Sequence, residues 1–113
     1  MSWLAFQTEA HWIELLEASQ TTPQLLFKHS TRCSISSMVL NRLEGTDLFR
    51  SALMPCWFLD LIAFRELSNF IASETQVWHE SPQCIVIDKG QVVYAESHGA
   101  IDAKTIQSSI LNK

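Results

Sequence analysis

The chain of 113 residues has three glycines, three prolines and eight basic residues, and each shortage removes a class of function. With so little glycine, a glycine-rich phosphate loop has no material. Eight Lys and Arg against twelve Asp and Glu give a net charge of -4, so the basic footprint that neutralises a nucleic-acid backbone is missing. No apolar run approaches the roughly 20 residues that span a bilayer. The longest, Met54 to Phe64, is interrupted by Asp60, so no membrane partner is expected. The opening residues 1–6 lack the basic start and long apolar stretch of a secretory signal, which points to a cytoplasmic protein. Three cysteines, Cys33, Cys56 and Cys84, are an odd number without a Cys-x-x-Cys pair. Neither a disulfide framework nor a thiolate metal site is indicated, and no bound metal is expected. The acidic residues show no convergent pair suited to acid-base hydrolysis.

What the chain does have is apolar surface: 47% of its residues are hydrophobic, including six Phe and four Trp. That suffices for one compact domain over residues 1–113, expected to be a monomer. Helical and strand patterns alternate along it. Trp3 to Phe6 reads as a short edge strand. Thr8 then caps a helix over Glu9 to Ser19 with Trp12, Ile13, Leu15 and Leu16 on one face. After Pro23, the continuous run Leu25 to Phe27 predicts a buried central strand. A helix entered at Cys33 or Ser34 carries Ile35, Met38, Val39, Leu40 and Leu43 up to Gly45. Cys56 to Leu61 predicts another strand, and Arg65 to Thr75 a helix with Leu67, Phe70 and Ile71 in its stripe. Ile85 to Ile87 and Val92 to Tyr94 flank Asp88-Lys89-Gly90 as a hairpin, and Asp102 opens a final helix to Leu111. The order β-α-β-α-β-α-β-β-α implies an α/β fold: a central mixed sheet with helices on both faces. The tryptophans Trp3, Trp12, Trp57 and Trp78 are assigned to the core, with Trp78 a candidate for the border of a cleft.

Cys33 stands out among the candidate reactive groups. A thiol at a helix entrance meets unpaired backbone N-H groups and the positive end of the helix dipole, and both favour the thiolate. Arg32 is adjacent and Lys28 closes the preceding strand, which adds positive charge. Cys56 and Cys84 lie within apolar strands and read as small buried hydrophobes. His29 flanks the loop as a packing or hydrogen-bonding residue with a lesser claim to catalysis, and His79 and His98 have less.

The block Lys28-His29-Ser30-Thr31-Arg32-Cys33-Ser34-Ile35-Ser36, with Ser81-Pro82 ahead of a hairpin, resembles the YtxJ-type monothiol bacilliredoxins of the bacillithiol redox system. Ser34 stands where that family commonly carries proline. The resemblance implies a thioredoxin-like three-layer sandwich and a Cys-x-x-Ser motif with Cys33 as nucleophile and Ser36 in the place of a resolving cysteine. It also implies that Ser81-Pro82 is a cis peptide whose backbone at Ser81 meets an extended partner. The substrates implied are S-thiolated client proteins and a low-molecular-weight thiol, bacillithiol, acting as co-substrate with no bound cofactor. Lys28, His29, Thr31, Arg32, Ser34, Ser36, Ser81 and Pro82 would line its site, the cations Lys28, His29 and Arg32 meeting its carboxylates. Two alternatives remain. One is an iron-sulfur carrier like the monothiol glutaredoxins, although the glycine after the cysteine is lacking and Ile35 replaces an aromatic residue. The other is a thioredoxin-fold interaction module with an incidental cysteine.

Overall fold

Continuous apolar runs form the inner strands because a strand covered on both faces has no solvent side on which to place polar residues. In the computed structural model, which describes residues 2–51 and 54–111, every residue of β2 (Gln24–His29) and β4 (Gln83–Asp88) is buried. With β1 (Leu4–Ala5), β3 (Cys56–Asp60) and β5 (Gln91–Ser97) they make a sheet of order β1-β3-β2-β4-β5. β1, β3 and β2 run parallel, whereas β4 and β5 form an antiparallel hairpin added to β2. The mixed sheet and the central place of Leu25 to Phe27 agree with the sequence. At the hairpin turn Lys89 and Gly90 both have positive φ, 53° and 76°, as a two-residue turn matched to strand twist requires.

Alternation along β2 sends its side chains into two separate cores. Leu25 and Phe27 pack with Val39 and Leu43 of α2 (Ser34–Glu44), Leu48 and Phe49 of α3 (Asp47–Arg50) and Ile106 of α5 (Ala103–Leu111). Leu26 packs on the opposite face with Trp12 and Leu15 of α1 (Glu9–Ala18) and Leu67 and Ile71 of α4 (Arg65–Thr75). Helices therefore cover both faces.

The helix α3 and a 3-10 turn at His98–Ala100 were not expected from the sequence, being too short to show a periodic stripe. Two apolar assignments are corrected. Trp78 is 88% exposed rather than part of the core, and Ile13 is 58% exposed because the buried face of α1 runs through Trp12 and Leu15.

Register fixes where chemistry can occur. Lys28 pairs with Gln83 across the antiparallel strands, so the loop leaving β2 and the segment entering β4 meet at one end of the sheet. That end carries the C-terminal edges of the parallel strands, the usual location of sites in α/β sheets.

Candidate functional site at the entrance of α2

Cys33 is the N-cap of α2, with extended backbone at φ -117° and ψ 116° and no side-chain capping bond. It is half-buried, flanked by exposed Thr31, Arg32 and Ser34. The loop below it is organised by Ser30. Its carbonyl accepts the Cys33 N-H at 3.2 Å, its hydroxyl oxygen accepts the Arg32 N-H at 3.3 Å, and its own N-H donates to Ser36 Oγ at 3.1 Å. Ser30 is a site residue without a functional motif of its own; its one local signal is that a serine two residues before a turn amide is a familiar acceptor. Ser36 Oγ also lies 2.8 Å from His29 Nδ1. The His29 ring stacks on Phe27 and abuts Phe58, and burial lowers its pKa despite the opposing charges of Asp60 and Glu44.

Three assignments of ligand-contacting residues are corrected by this geometry. Lys28 is fully buried and points to the other face of the sheet, where its Nζ donates to the Ser68 carbonyl of α4 at 3.1 Å. Residues 27 and 29 face α2, so residue 28 cannot. Burial pushes the Lys28 amine down to about 8. Ser36 is fully buried and His29 nearly so, and both are engaged with the loop rather than presented to a ligand. Of the three cations assigned to a carboxylate site, Arg32 alone is on the surface beside the thiol.

Ser81-Pro82 is a cis peptide, as expected. Pro82 is buried, its carbonyl accepting the His98 N-H at 2.9 Å, while Ser81 is half-buried. The preceding segment is tied down at several points: Gln83 Nε2 donates to the Trp78 carbonyl, His79 Nδ1 meets Ser68 Oγ, and Ser97 Oγ donates to Glu80. Ser68 and His79 thus link the Lys28 amine to the loop that ends in Ser81-Pro82. Trp78 stands clear of this framework in solvent.

Among the three free thiols, Cys56 and Cys84 are sealed in the core. Burial pushes the Cys56 thiol up to about 12 and raises that of Cys84 further. Iodoacetamide is therefore expected to place one adduct on the native protein, at Cys33, and three after denaturation. Intact-mass measurement counts them, and a second adduct on the folded chain would contradict this assignment. No group of three or more potential metal ligands exists among the described residues. No helix among them is long and apolar enough to cross a membrane.

A thioredoxin-fold structure described as a candidate oxidoreductase is 25% identical, with a TM-score of 0.83 over 95% of this chain and 92% of its own. The thioredoxin of Fasciola hepatica is 15% identical, with a TM-score of 0.72 over 97% of this chain and 99% of its own. Thioredoxin f of spinach chloroplast is 13% identical, with a TM-score of 0.75 over 96% and 87%. The fold is that of thioredoxin. The family model for monothiol bacilliredoxin BrxC matches residues 5–106, a span that contains both the Cys33 loop and the cis-proline segment. The chain belongs to the monothiol bacilliredoxin family and is a thiol oxidoreductase.

Proposed function

We propose that the protein removes a low-molecular-weight thiol, bacillithiol, from mixed disulfides on client proteins. The observation that carries the reading is a single accessible cysteine at a helix entrance with buried serine, not cysteine, three residues on. Such a site forms a mixed disulfide with an outside thiol but no local disulfide across the motif. The Cys33 thiolate attacks the small-thiol sulfur of the client disulfide, a new disulfide forms at Cys33, and the client leaves as a thiolate that takes up a proton. A second molecule of the small thiol then attacks the Cys33 adduct as its thiolate. It releases a small-thiol disulfide and returns Cys33, so the small thiol is the two-electron reductant of the cycle.

Arg32 supplies the attraction for the carboxylates of bacillithiol, and exposed Thr31 and Ser34 complete the rim. Ser81 offers its backbone to the extended part of a client or ligand. The cycle is assigned to the cytoplasm. The test is the rate at which a client bearing a bacillithiol mixed disulfide is freed at rising ionic strength. Between about 0.01 and 1 M salt the Debye length falls from roughly 30 to 3 Å. The wild-type rate should fall across that range. Arg32→Ala should start several-fold slower and lose most of the salt dependence, whereas Lys28→Met should keep the wild-type salt slope because Nζ lies on the far face of the sheet. A salt-independent wild-type rate would remove Arg32 from the binding argument. No client release by wild type would overturn the proposed reaction.

A further inference from the structure

Ser36 Oγ sits where three pieces of the site converge: the end of β2, the loop and the first turn of α2. It lies 3.1 Å from the Ser30 amide and 2.8 Å from His29 Nδ1, in a position without solvent exposure. A hydroxyl has one hydrogen and two acceptor sites. The Ser30 N-H must donate, which occupies an acceptor site, and His29 Nδ1 is the one remaining partner of the buried hydroxyl among the described residues that can accept its hydrogen. This pairing requires an unprotonated Nδ1 and so places the proton of a neutral His29 on Nε2.

We propose that Ser36 is a positioning residue for thiol exchange at Cys33: its hydroxyl locks the loop to the strand through Ser30 and neutral His29. The inference rests on the proposed reaction only for its consequence, since the lock itself concerns the placement of Cys33. Ser30 transmits it, because the residue held by Ser36 in turn holds the Arg32 and Cys33 amides. Protonating His29 would put a second N-H against the same oxygen and strand the hydroxyl hydrogen in a buried site. The charged groups felt by His29 are Asp60 at the end of β3 and Glu44 at the end of α2, both of which favour protonation. Burial opposes them and prevails, while Lys28 lies on the other face. The serine thus has a use beyond being an absent second cysteine.

The experiment measures Cys33 alkylation by iodoacetamide, which needs no client, alongside exchange with the client mixed disulfide. Variants are Ser36→Ala, Ser36→Thr, His29→Asn and His29→Leu, each checked for folding by thermal melting. Loss of one hydrogen bond should slow exchange by Ser36→Ala between about twofold and tenfold, with Ser36→Thr recovering most of it. Asparagine can keep an acceptor near the place of Nδ1, so His29→Asn should exceed His29→Leu. On the acid side, the wild-type alkylation rate should lose a further factor of about two to ten, the cost of the broken lock, as His29 takes up a proton. His29→Asn, with no ring to protonate, should lack that extra loss. Imidazole 15N shifts should report the Nε2-H tautomer in wild type, with the Nδ1 signal moving in Ser36→Ala as it loses the hydroxyl donor. Wild-type and His29→Asn acid profiles of the same shape, or an Nδ1-H tautomer in wild type, would overturn the lock. Failure of client exchange with the alkylation pattern intact would overturn the proposed reaction and leave the lock standing.

Discussion

Cys33→Ala is expected to bring the release of bacillithiol from a client mixed disulfide down to the uncatalysed rate of exchange with free small thiol. Cys56→Ala and Cys84→Ala are expected to keep exchange activity in whatever fraction remains folded. The contrast follows from access. Cys33 is half-exposed at the entrance of α2, whereas Cys56 and Cys84 are sealed beneath α2, α3 and α5. No other thiol in the described residues can replace Cys33 as nucleophile. The measurement is a single-turnover assay of client thiol release. Retained catalysis in Cys33→Ala would refute the assignment of the nucleophile.

Lys28→Met is expected to be more stable than the wild type at pH 8 and to lose that advantage by pH 10.5. The sign follows from the direction of the shift. Burial lowers the Lys28 amine from 10.5 to about 8, so folding disfavours its charged form. Below pH 8 the native state carries the whole cost of the buried charge, and the cost vanishes as pH rises to the unfolded value. The shift corresponds to about 3 kcal/mol. Other groups act oppositely at higher pH. Cys56, raised from 9.0 to about 12, Cys84, also raised, and Tyr94, raised from 10.0 to about 12, contribute stability that is lost as pH climbs past their unfolded values. Wild-type stability should therefore rise from pH 8 to about 9 and then decline. Those groups are common to both proteins, so the difference between them isolates Lys28. Urea unfolding at pH 8 and 10.5 should show the difference shrinking by about 3 kcal/mol. The unpaired Ser68 carbonyl subtracts a constant of about 1 kcal/mol at both pH values. Parallel pH dependence of the two proteins would contradict a charged, buried Lys28.

Much of the fold was legible because the strands are apolar without interruption and the turns carry their own chemistry. Leu25 to Phe27 and Ile85 to Ile87 have no polar face to show, and Lys89-Gly90 adopts the positive φ that the sequence of the hairpin allows. The place of Cys33 at the start of α2 was legible too, since the polar stretch from Ser30 to Arg32 separates strand from helix. The partners of the side chains were less so. Counting residues from Cys33 put Lys28, His29 and Arg32 together, but nearness along a strand ignores which face each residue takes. Applying the period of two from Phe27 would have sent Lys28 to the α4 side. The resemblance puts Ser36 in the place of a resolving cysteine and among the residues lining the ligand site, whereas its helical position turns it inward against Ser30 and His29. The reach of Lys28 to Ser68, 40 residues away, depends on the packing of α4 and leaves no local trace.

The central claim is that Cys33 itself takes the small thiol from the client, and intact-mass analysis tests it most directly. Reduced protein is mixed with a client carrying bacillithiol in mixed disulfide, quenched with acid at successive times and weighed, then mapped by tryptic digestion. The account predicts that the client loses one bacillithiol while the protein gains one, with the added mass on the peptide containing Cys33. A client that loses its thiol while the protein stays unmodified throughout, or an adduct mapped to Cys56 or Cys84, would contradict it.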